Sequence, residues 1–264
     1  MSPTLNLTTR SRGALPLYEL DATREWAVDA FITGREGGVS LAPYDSLNLG
    51  IHVGDEPSRV AENRRRVAAA MGLDTVNLVT SSQVHGARVN DVDQWRGEPL
   101  VGDALVSTRS DVALCVLVAD CLPVLLVDTA STRFAVAHAG WRGLVAGVID
   151  ATLARFADPS TVRVVIGPHI SSRSYQVGPE VAQHFFDLEG AVLDDKGDRH
   201  RLDLAVIARH QLTRGGVGEG NVVVCEPGTD EGSIFFSDRA QRPCGRFALV
   251  ARRFYHSTAK EGNK

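Results

Sequence analysis

The chain has 264 residues, with 28 basic and 32 acidic side chains for a net charge of −4, and it is 44% hydrophobic and 23% charged. A chain of this length buries a substantial core without disulfides, and its composition excludes disordered and collagen-like proteins. A mildly acidic chain also lacks the electrostatic attraction that drives general nucleic-acid binding, so we expect no nucleic-acid partner.

The cysteines and the hydropathy pattern indicate where the protein works. The four cysteines, at positions 115, 121, 225 and 244, form no CxxC pair, which favours free thiols in a reducing compartment. The N-terminal segment MSPTLNLTTRSRGALPLYEL has no apolar region of signal-peptide length. The most apolar stretch, 112–127, is interrupted by Asp120 and Pro123 and is shorter than the roughly 20 residues that span a bilayer. We therefore expect a cytoplasmic protein without membrane contacts.

Predicted strands and helices are mixed along the whole chain. Pro57 to Met71 is expected to form a helix because proline suits the first turn, Val60 and Val67 share a face, and Gly72 follows. Further helices are expected at 144–156, 179–186 and 203–215, the last with an aspartate N-cap. Valine-rich runs predict buried strands at 112–118, 123–127, 134–138, 162–166 and 221–225. The predicted fold is a mixed α/β (α+β) single domain, 1–264, with more than one sheet.

The densest chemical signal lies in the segments VADCLPVLL (118–126) and FAVAHAGWRG (134–143). Cys121 follows one apolar run and His138 ends another, while His85 stands beside Gly86 in the polar segment TSSQVHGARV. Two imidazoles and a thiolate suit zinc, with a fourth coordination position left for water. The alternative is that Cys121 packs as a small hydrophobic residue and each histidine caps a turn.

Copper is the second metal that this ligand set suits. The three residues match the trigonal ligands of a blue-copper centre, although neither Met1 nor Met71 is well placed as the axial ligand. No two of the eight histidines stand two positions apart, which argues against a trinuclear copper cluster.

A third hypothesis makes Cys121 a nucleophile that is activated by His138 or His85 and oriented by Asp120. This hypothesis predicts turnover that alkylation blocks and that needs no metal. Asp120 could instead cap the turn before Pro123 or bond the backbone.

A series of short motifs follows in fixed order: TGREGGVS, SLNLGIHVGD, NRRR, SSQVHGARV, GDALV, VADCLPVLLVD, AVAHAGWRG, VVIGPHI, SYQVGPEV, LDL, FFS and GR. From about residue 31 to 250, this ordered set resembles the YfiH-type laccase-domain family. Members of that family are named polyphenol oxidases, purine nucleoside phosphorylases and peptidoglycan editing factors. The resemblance implies packed mixed sheets flanked by helices, with one metal site.

The resemblance also implies ligands and activities. The family's zinc ligands fall on His85, Cys121 and His138. The implied activity is phosphorolysis of adenosine, inosine and methylthioadenosine to the free base and a ribose 1-phosphate, together with adenosine deamination. A nucleoside and phosphate are therefore the expected small-molecule partners. The alternatives are a copper-dependent polyphenol oxidase and a hydrolase that removes misincorporated serine from peptidoglycan precursors.

Three polar residues are candidates for contacts with these substrates. Arg35 and Arg142 are expected to hold phosphate against C1′ of the ribose, and Asn48 is expected to touch the nucleoside. For deamination, a zinc-activated water would attack C6 of adenosine.

The chain departs from the common family pattern outside the proposed metal ligands. Glu226 follows Cys225 where threonine is frequent, and Gln176 stands where many members have glutamate. A double arginine after FFS is replaced by the segment 238–240, DRA. We expect these differences to affect substrate preference more than metal binding.

Overall fold

Three β-sheets organise the part of the chain that this computed structural model describes, residues 4–230 and 234–255. The strands are, in chain order, β1 (Thr4–Asn6), β2 (Thr8–Arg12), β3 (Leu15–Glu19), β4 (Val28–Thr33), β5 (Leu78–Val79), β6 (Val89–Asp91), β7 (Ala104–Ser107), β8 (Ala113–Val118), β9 (Leu122–Asp128), β10 (Phe134–Ala139), β11 (Val162–Ile166), β12 (Gln176–Val177), β13 (Val192–Asp194), β14 (His200–Leu202), β15 (Val222–Glu226) and β16 (Phe247–Arg253). A seven-stranded sheet has the order β1-β15-β11-β9-β10-β7-β6, a six-stranded sheet β2-β3-β4-β16-β8-β5, and a small sheet β12-β14-β13. The two large sheets contain both parallel and antiparallel pairs.

Short helices connect these strands. The α-helices are α1 (Pro57–Ala70), α2 (Trp141–Ala146), α3 (Val148–Leu153), α4 (Pro179–Ala182) and α5 (Leu204–Arg214). Single 3₁₀ turns lie at Asp21–Trp26, Ile51–Val53, Thr75–Asn77, Val92–Gln94, Pro159–Thr161 and Glu219–Asn221. Among the described residues, no helix has the length and apolar content needed to cross a membrane.

The two large sheets pack face to face. Because successive side chains of a strand point to opposite faces, Leu114 and Val116 of β8 enter the core between the sheets, where Leu125 of β9 meets them. The alternate residues of β8, Cys115 and Leu117, enter a different core on the other face. Strands buried on both faces therefore read as continuous apolar runs in the sequence.

Helices cover the outer faces of both sheets. On the seven-stranded sheet, Leu144 of α2, Ile149 of α3 and Ile207 of α5 share a core with Leu126 of β9. On the six-stranded sheet, Val67 of α1 belongs to the outer core. The layers therefore follow the order helix, sheet, sheet, helix, and the mixed α/β prediction is confirmed.

The strand predictions are confirmed to within one residue at each end, whereas two of the four helix predictions differ from the structure. The expected helix 144–156 is split into α2 and α3 because Gly147 adopts a φ of 84°, the left-handed conformation that ends a helix. The expected helix 179–186 is only the short α4. Helix α5 begins as expected, since the Asp203 side chain accepts a hydrogen bond from the backbone N–H of Val206 at 3.0 Å.

Candidate metal centre and its cavity

Cys121 lies where the chain passes from one large sheet to the other, between β8 and β9. The preceding residue, Asp120, has a φ of 89°, which non-glycine residues seldom adopt. Its carboxylate accepts hydrogen bonds from Thr229 Oγ1 and from the backbone N–H of Arg239, both at 2.7 Å. Asp120 thus bonds the backbone, one of the two predicted alternatives, and these bonds hold the turn that carries the Cys121 thiol.

The two histidines come from different parts of the fold. His138 lies near the end of β10, opposite Pro123 of the neighbouring strand β9, and its side chain is buried. His85 lies in the loop between β5 and β6 with a φ of 59°, and it is exposed. Gln83 anchors this loop, because its amide donates to the carbonyl of Leu117 at 2.7 Å and accepts from the N–H of Leu117 at 2.8 Å. The QVHG motif therefore attaches the His85 loop to strand β8.

Asp103, which the sequence analysis does not single out, connects the two histidines. It has no exposed surface, and its carboxylate accepts hydrogen bonds from the backbone N–H groups of His85 at 2.9 Å and Gly86 at 2.8 Å. The same carboxylate lies 2.9 Å from Nδ1 of His138. Because a carboxylate only accepts, Nδ1 carries the proton and Nε2 of His138 is left as a metal ligand.

His85, Cys121 and His138 converge, since one ligand atom from each lies within 4.8 Å of the other two. Burial alone would raise the pKa of the Cys121 thiol, but the neighbouring His138 and His85 outweigh burial and lower it to about 6. Burial opposes the charged form of Asp103 as well, yet the hydrogen bonds from His138 and Gly86 lower the pKa of this carboxyl. The cluster thus favours a thiolate at neutral pH, the form that binds metal.

Gly140, the residue before α2, leaves room for this cluster. A Cβ atom at Gly140 would lie 2.7 Å from Sγ of Cys121 and 3.3 Å from Cδ2 of His85. Since its backbone φ of −80° suits any residue, the glycine is needed for space and not for conformation.

We expect the Gly140→Ala variant to fold but to bind zinc about ten- to hundredfold more weakly, because the added methyl group displaces the thiol. Competition with a chromophoric chelator measures this affinity. The matched control is Gly220→Ala, where a Cβ would meet no atom within 4 Å. Equal zinc affinity in the two variants would contradict this account of Gly140.

A cavity of about 450 Å³ opens over the cluster. This volume lies within the range that small-molecule sites occupy in proteins. Besides the three ligands, its wall combines two aromatic side chains with four guanidinium groups, from Trp141, Tyr175, Arg142, Arg239, Arg242 and Arg246. The cavity thus offers an apolar contact surface and an excess of positive charge next to a metal-ligand set.

The structure brings one of the three predicted substrate residues into this wall. Arg142 lines the cavity with its guanidinium over the Trp141 ring, 4.3 Å from the centroid. Arg35 lies outside the lining, bonded to the carbonyl oxygen of Asp45 at 2.9 Å. Asn48 is fully buried and also outside the lining.

One of the differences from the family pattern, in the segment 238–240, lies at the cavity. Arg239 stacks over the Tyr175 ring, 5.1 Å from its centroid, and donates to the carbonyl oxygen of Gln176 at 2.9 Å. The Gln176 side chain itself bonds Asp195 and does not line the cavity. Of the departures from the family pattern, those at Asp238 and Arg239 are the ones that face this cavity.

The donor set fits a single zinc or copper ion. Within 4–230 and 234–255, His85, Cys121 and His138 are the one group of three or more potential ligands close enough to share an ion. Met71 belongs to the outer core of the six-stranded sheet, away from this cluster, and Met1 lies outside the described residues. Among the described residues, the cluster therefore offers two imidazoles and a thiolate, with no methionine placed as an axial ligand.

Several known proteins are similar to this chain in sequence and in fold. The purine nucleoside phosphorylase YfiH of Escherichia coli is 42% identical over 229 residues, which span 84% of this chain and 92% of that protein. A purine nucleoside phosphorylase of Streptomyces coelicolor is 41% identical over 224 residues, 82% of this chain and 91% of that protein. The crystal structure of YlmD from Geobacillus stearothermophilus matches with a TM-score of 0.86 at 30% identity, covering 94% of this chain and 99% of that one.

A family model covers nearly the same region as these relatives. The model described as multi-copper polyphenol oxidoreductase laccase matches residues 29–253, which include all three clustered ligands and every residue of the cavity wall. On this match and the identities above, the chain belongs to the multi-copper polyphenol oxidoreductase laccase family, together with relatives named purine nucleoside phosphorylase.

Proposed function

We propose that this chain is a zinc-dependent purine nucleoside phosphorylase and that its active site is the cavity over His85, Cys121 and His138. Its substrates are adenosine, inosine or methylthioadenosine together with inorganic phosphate, and its products are the free base and the ribose 1-phosphate. The proposal rests on one observation: a single cavity contains three potential metal ligands, four arginines and two aromatic rings.

The cavity wall suits both substrates of this reaction. The planar guanidinium groups of Arg142 and Arg239 lie over the Trp141 and Tyr175 rings, and a purine can stack against such flat groups in the wall. Guanidinium groups bind phosphate oxygens through paired N–H donors. The guanidinium of Arg142 lies over the Trp141 ring and has no hydrogen-bond partner among the described residues, so its donors are available for phosphate. The names of the relatives agree with this assignment, since they describe purine nucleoside phosphorylases.

In the reaction, an oxygen of phosphate forms a bond to C1′ of the ribose while the C1′–N9 bond breaks. The electron pair of the broken bond goes to the purine, which takes up a proton as it leaves. Zinc held by His85, Cys121 and His138 would supply positive charge beside the reacting groups. Burial raises the pKa of Tyr175 to about 12, so its hydroxyl keeps its proton and can donate a hydrogen bond to the departing base.

Adenosine deamination is the second activity that we propose for the site. Zinc held by His85, Cys121 and His138 would supply a Lewis acid that can activate water, and hydrolysis of the C6–N6 bond of adenosine would give inosine and ammonia. Zinc deaminases also use a free carboxyl as general acid and base. Both carboxylates of this cavity, Asp120 and Asp238, are engaged in hydrogen bonds, so we expect deamination to be slower than phosphorolysis.

The oxidase activity in the family's description is a weaker candidate for this chain. A multi-copper oxidase needs several copper sites, whereas the described residues hold one cluster of three ligands. Oxidation of a phenolic dye that requires added copper, without any nucleoside turnover, would favour the oxidase over the phosphorylase.

A chromatographic assay with adenosine, in the presence and absence of phosphate, tests the proposal. We expect adenine to appear only with phosphate, and a smaller amount of inosine to appear without phosphate, which is converted to hypoxanthine when phosphate is present. Unchanged adenosine under both conditions, with zinc bound at one equivalent per chain, would overturn the proposed function.

A further inference from the structure

Arg246 lies at the boundary between two adjoining cavities. The cavity over the metal-ligand cluster and a second one of about 410 Å³ share four lining residues: His52, Asp238, Arg242 and Arg246. A ligand held by these residues would lie beside the metal cluster while extending toward the second cavity.

The backbone of Arg246 is fixed by the segment 48–50. Its N–H donates to Oδ1 of Asn48 at 2.9 Å, and the same oxygen accepts from the N–H of Gly50 at 2.9 Å. The carbonyl oxygen of Arg246 accepts from the N–H of Leu49 at 3.0 Å. Asn48 is itself anchored, since its amide donates to Oδ2 of Asp55 at 2.9 Å. The SLNLG and GR motifs of the sequence therefore form one unit.

The guanidinium of Arg246 is also held, but not saturated. Its Nη1 donates to the carbonyl oxygens of Cys244 at 3.1 Å and Gly245 at 3.0 Å, and its Nη2 donates to Oδ1 of Asp238 at 3.0 Å. A guanidinium has five N–H donors. The Nε–H and one Nη2–H thus have no partner among the described residues, and charged donors of this kind bind phosphate oxygens.

The groups beside Arg246 suit the same ligand. Arg242 pairs with Asp238 at 2.6 Å, so two guanidinium groups share one carboxylate and leave an excess positive charge. Gly50 leaves room for the Arg246 side chain, because a Cβ there would lie 2.8 Å from Cγ of Arg246. The imidazole of His52 adds a hydrogen-bonding group to the same wall.

We propose that Arg246, Arg242 and His52 form a phosphate-binding site at the edge of the metal cavity, and that Asn48 is a positioning residue for Arg246. The role of this site in catalysis rests on the proposed function. Its ligand is a phosphate dianion, which comes either from inorganic phosphate as co-substrate or from the 5′-phosphate of a purine nucleotide.

Binding of inorganic phosphate to the zinc-loaded protein, followed by titration calorimetry, tests the site. We expect the Arg246→Gln variant to bind phosphate about ten- to hundredfold more weakly, since it loses a charged pair of donors. The matched control is Arg65→Gln, which removes an exposed arginine paired with Glu62 on helix α1. Wild-type affinities for phosphate and for adenosine 5′-monophosphate in Arg246→Gln would overturn the proposal.

Two ligands distinguish the sources of the phosphate. If inorganic phosphate is the ligand, adenosine and phosphate bind together, and Arg246→Gln raises the KM for phosphate without changing the KM for the nucleoside. If a 5′-phosphate is the ligand, adenosine 5′-monophosphate binds more tightly than adenosine, and inorganic phosphate competes with it. Under either result, the Arg246→Gln variant must lose the affinity that the phosphate group contributes to binding of its ligand.

The positioning role of Asn48 has its own readout. The Asn48→Ala variant should raise the KM for phosphate and leave the KM for the nucleoside unchanged, because the amide acts through Arg246. A purely structural role would lower the fraction of active enzyme and leave both KM values as they are, which would overturn the positioning role.

Failure of this site and failure of the proposed function give different results. Arg246-dependent phosphate binding without any phosphorolysis would overturn the proposed function and support the site. Phosphorolysis by Arg246→Gln with an unchanged phosphate KM and an unchanged affinity for adenosine 5′-monophosphate would overturn the site and support the function.

Discussion

Zinc binding and phosphorolysis should both be lost in the Cys121→Ala variant. The thiolate is one of three proposed protein ligands, and apparent zinc affinities of about 10–16 kcal/mol for four-ligand sites correspond to roughly 2.5–4 kcal/mol for each ligand. Removal of one ligand should thus weaken zinc binding by about two orders of magnitude or more. Metal analysis after purification and the rate of inosine phosphorolysis measure the two losses.

Cys115 provides the matched control for this prediction. Burial raises the pKa of the Cys115 thiol to about 12, and this residue packs in the outer core of the six-stranded sheet. The Cys115→Ala variant should therefore lose some stability and keep both its zinc and its turnover. If Cys121→Ala retained turnover without metal, the metal-dependent mechanism would be wrong. That result would also exclude Cys121 as a nucleophile.

The Asp103→Asn variant should lose both zinc affinity and stability. All the groups that the carboxylate contacts are donors: the N–H groups of Val84, His85 and Gly86, and the Nδ1–H of His138. An asparagine must point its NH₂ group at one of these donors, which leaves a buried group unpaired at a cost of about 1–3 kcal/mol. Loss of the hydrogen bond between a metal-binding histidine and its carboxylate partner typically weakens metal binding by about 10- to 100-fold.

Two measurements separate the effects of Asp103→Asn. Unfolding in denaturant with a chelator present gives the loss of stability without metal, and chelator competition gives the loss of zinc affinity. The exposed Asp198 supplies the control, since Asp198→Asn removes the same charge from a side chain on the surface. Wild-type zinc affinity in Asp103→Asn would show that the two histidines keep their positions without the carboxylate.

The strands and the ligand types were predictable because they leave local patterns. A strand buried on both faces has to be apolar along its whole length, as β8 and β9 are. Cys121 and His138 stand out because each is a chemically reactive residue at the end of such a run. Their convergence with His85 depends on the stacking of two sheets, and no spacing in the sequence encodes that stacking.

Asp103 and Arg246 were not identified from the sequence for a different physical reason. Asp103 resembles any aspartate in a turn, and its role arises from three N–H groups that lie 17 to 19 positions before it. The GDALV motif was the available signal, since a charged residue directly precedes the buried strand β7. Asn48 was expected to touch the nucleoside. In the structure its side-chain oxygen accepts a hydrogen bond from the backbone N–H of Arg246, which follows it by 198 positions.

The prediction of one helix over 144–156 is wrong for a local reason that the pattern of apolar residues does not show. Its apolar residues keep helical spacing across Gly147, so periodicity predicts one helix. The left-handed φ at that glycine shifts the chain between α2 and α3 while both helices still pack on the same sheet. Helix α2 begins at Trp141, three residues before the predicted start, and its first two residues, Trp141 and Arg142, lie in the wall of the metal cavity.

Phosphorus NMR of the inosine reaction tests most directly whether the cluster supports phosphorolysis. With zinc-loaded protein, we predict that inorganic phosphate is converted to ribose 1-phosphate in the same amount as hypoxanthine is released. After removal of the metal, neither product should form. Release of hypoxanthine without consumption of phosphate, or an unchanged rate after metal removal, would contradict a metal-dependent phosphorylase at His85, Cys121 and His138.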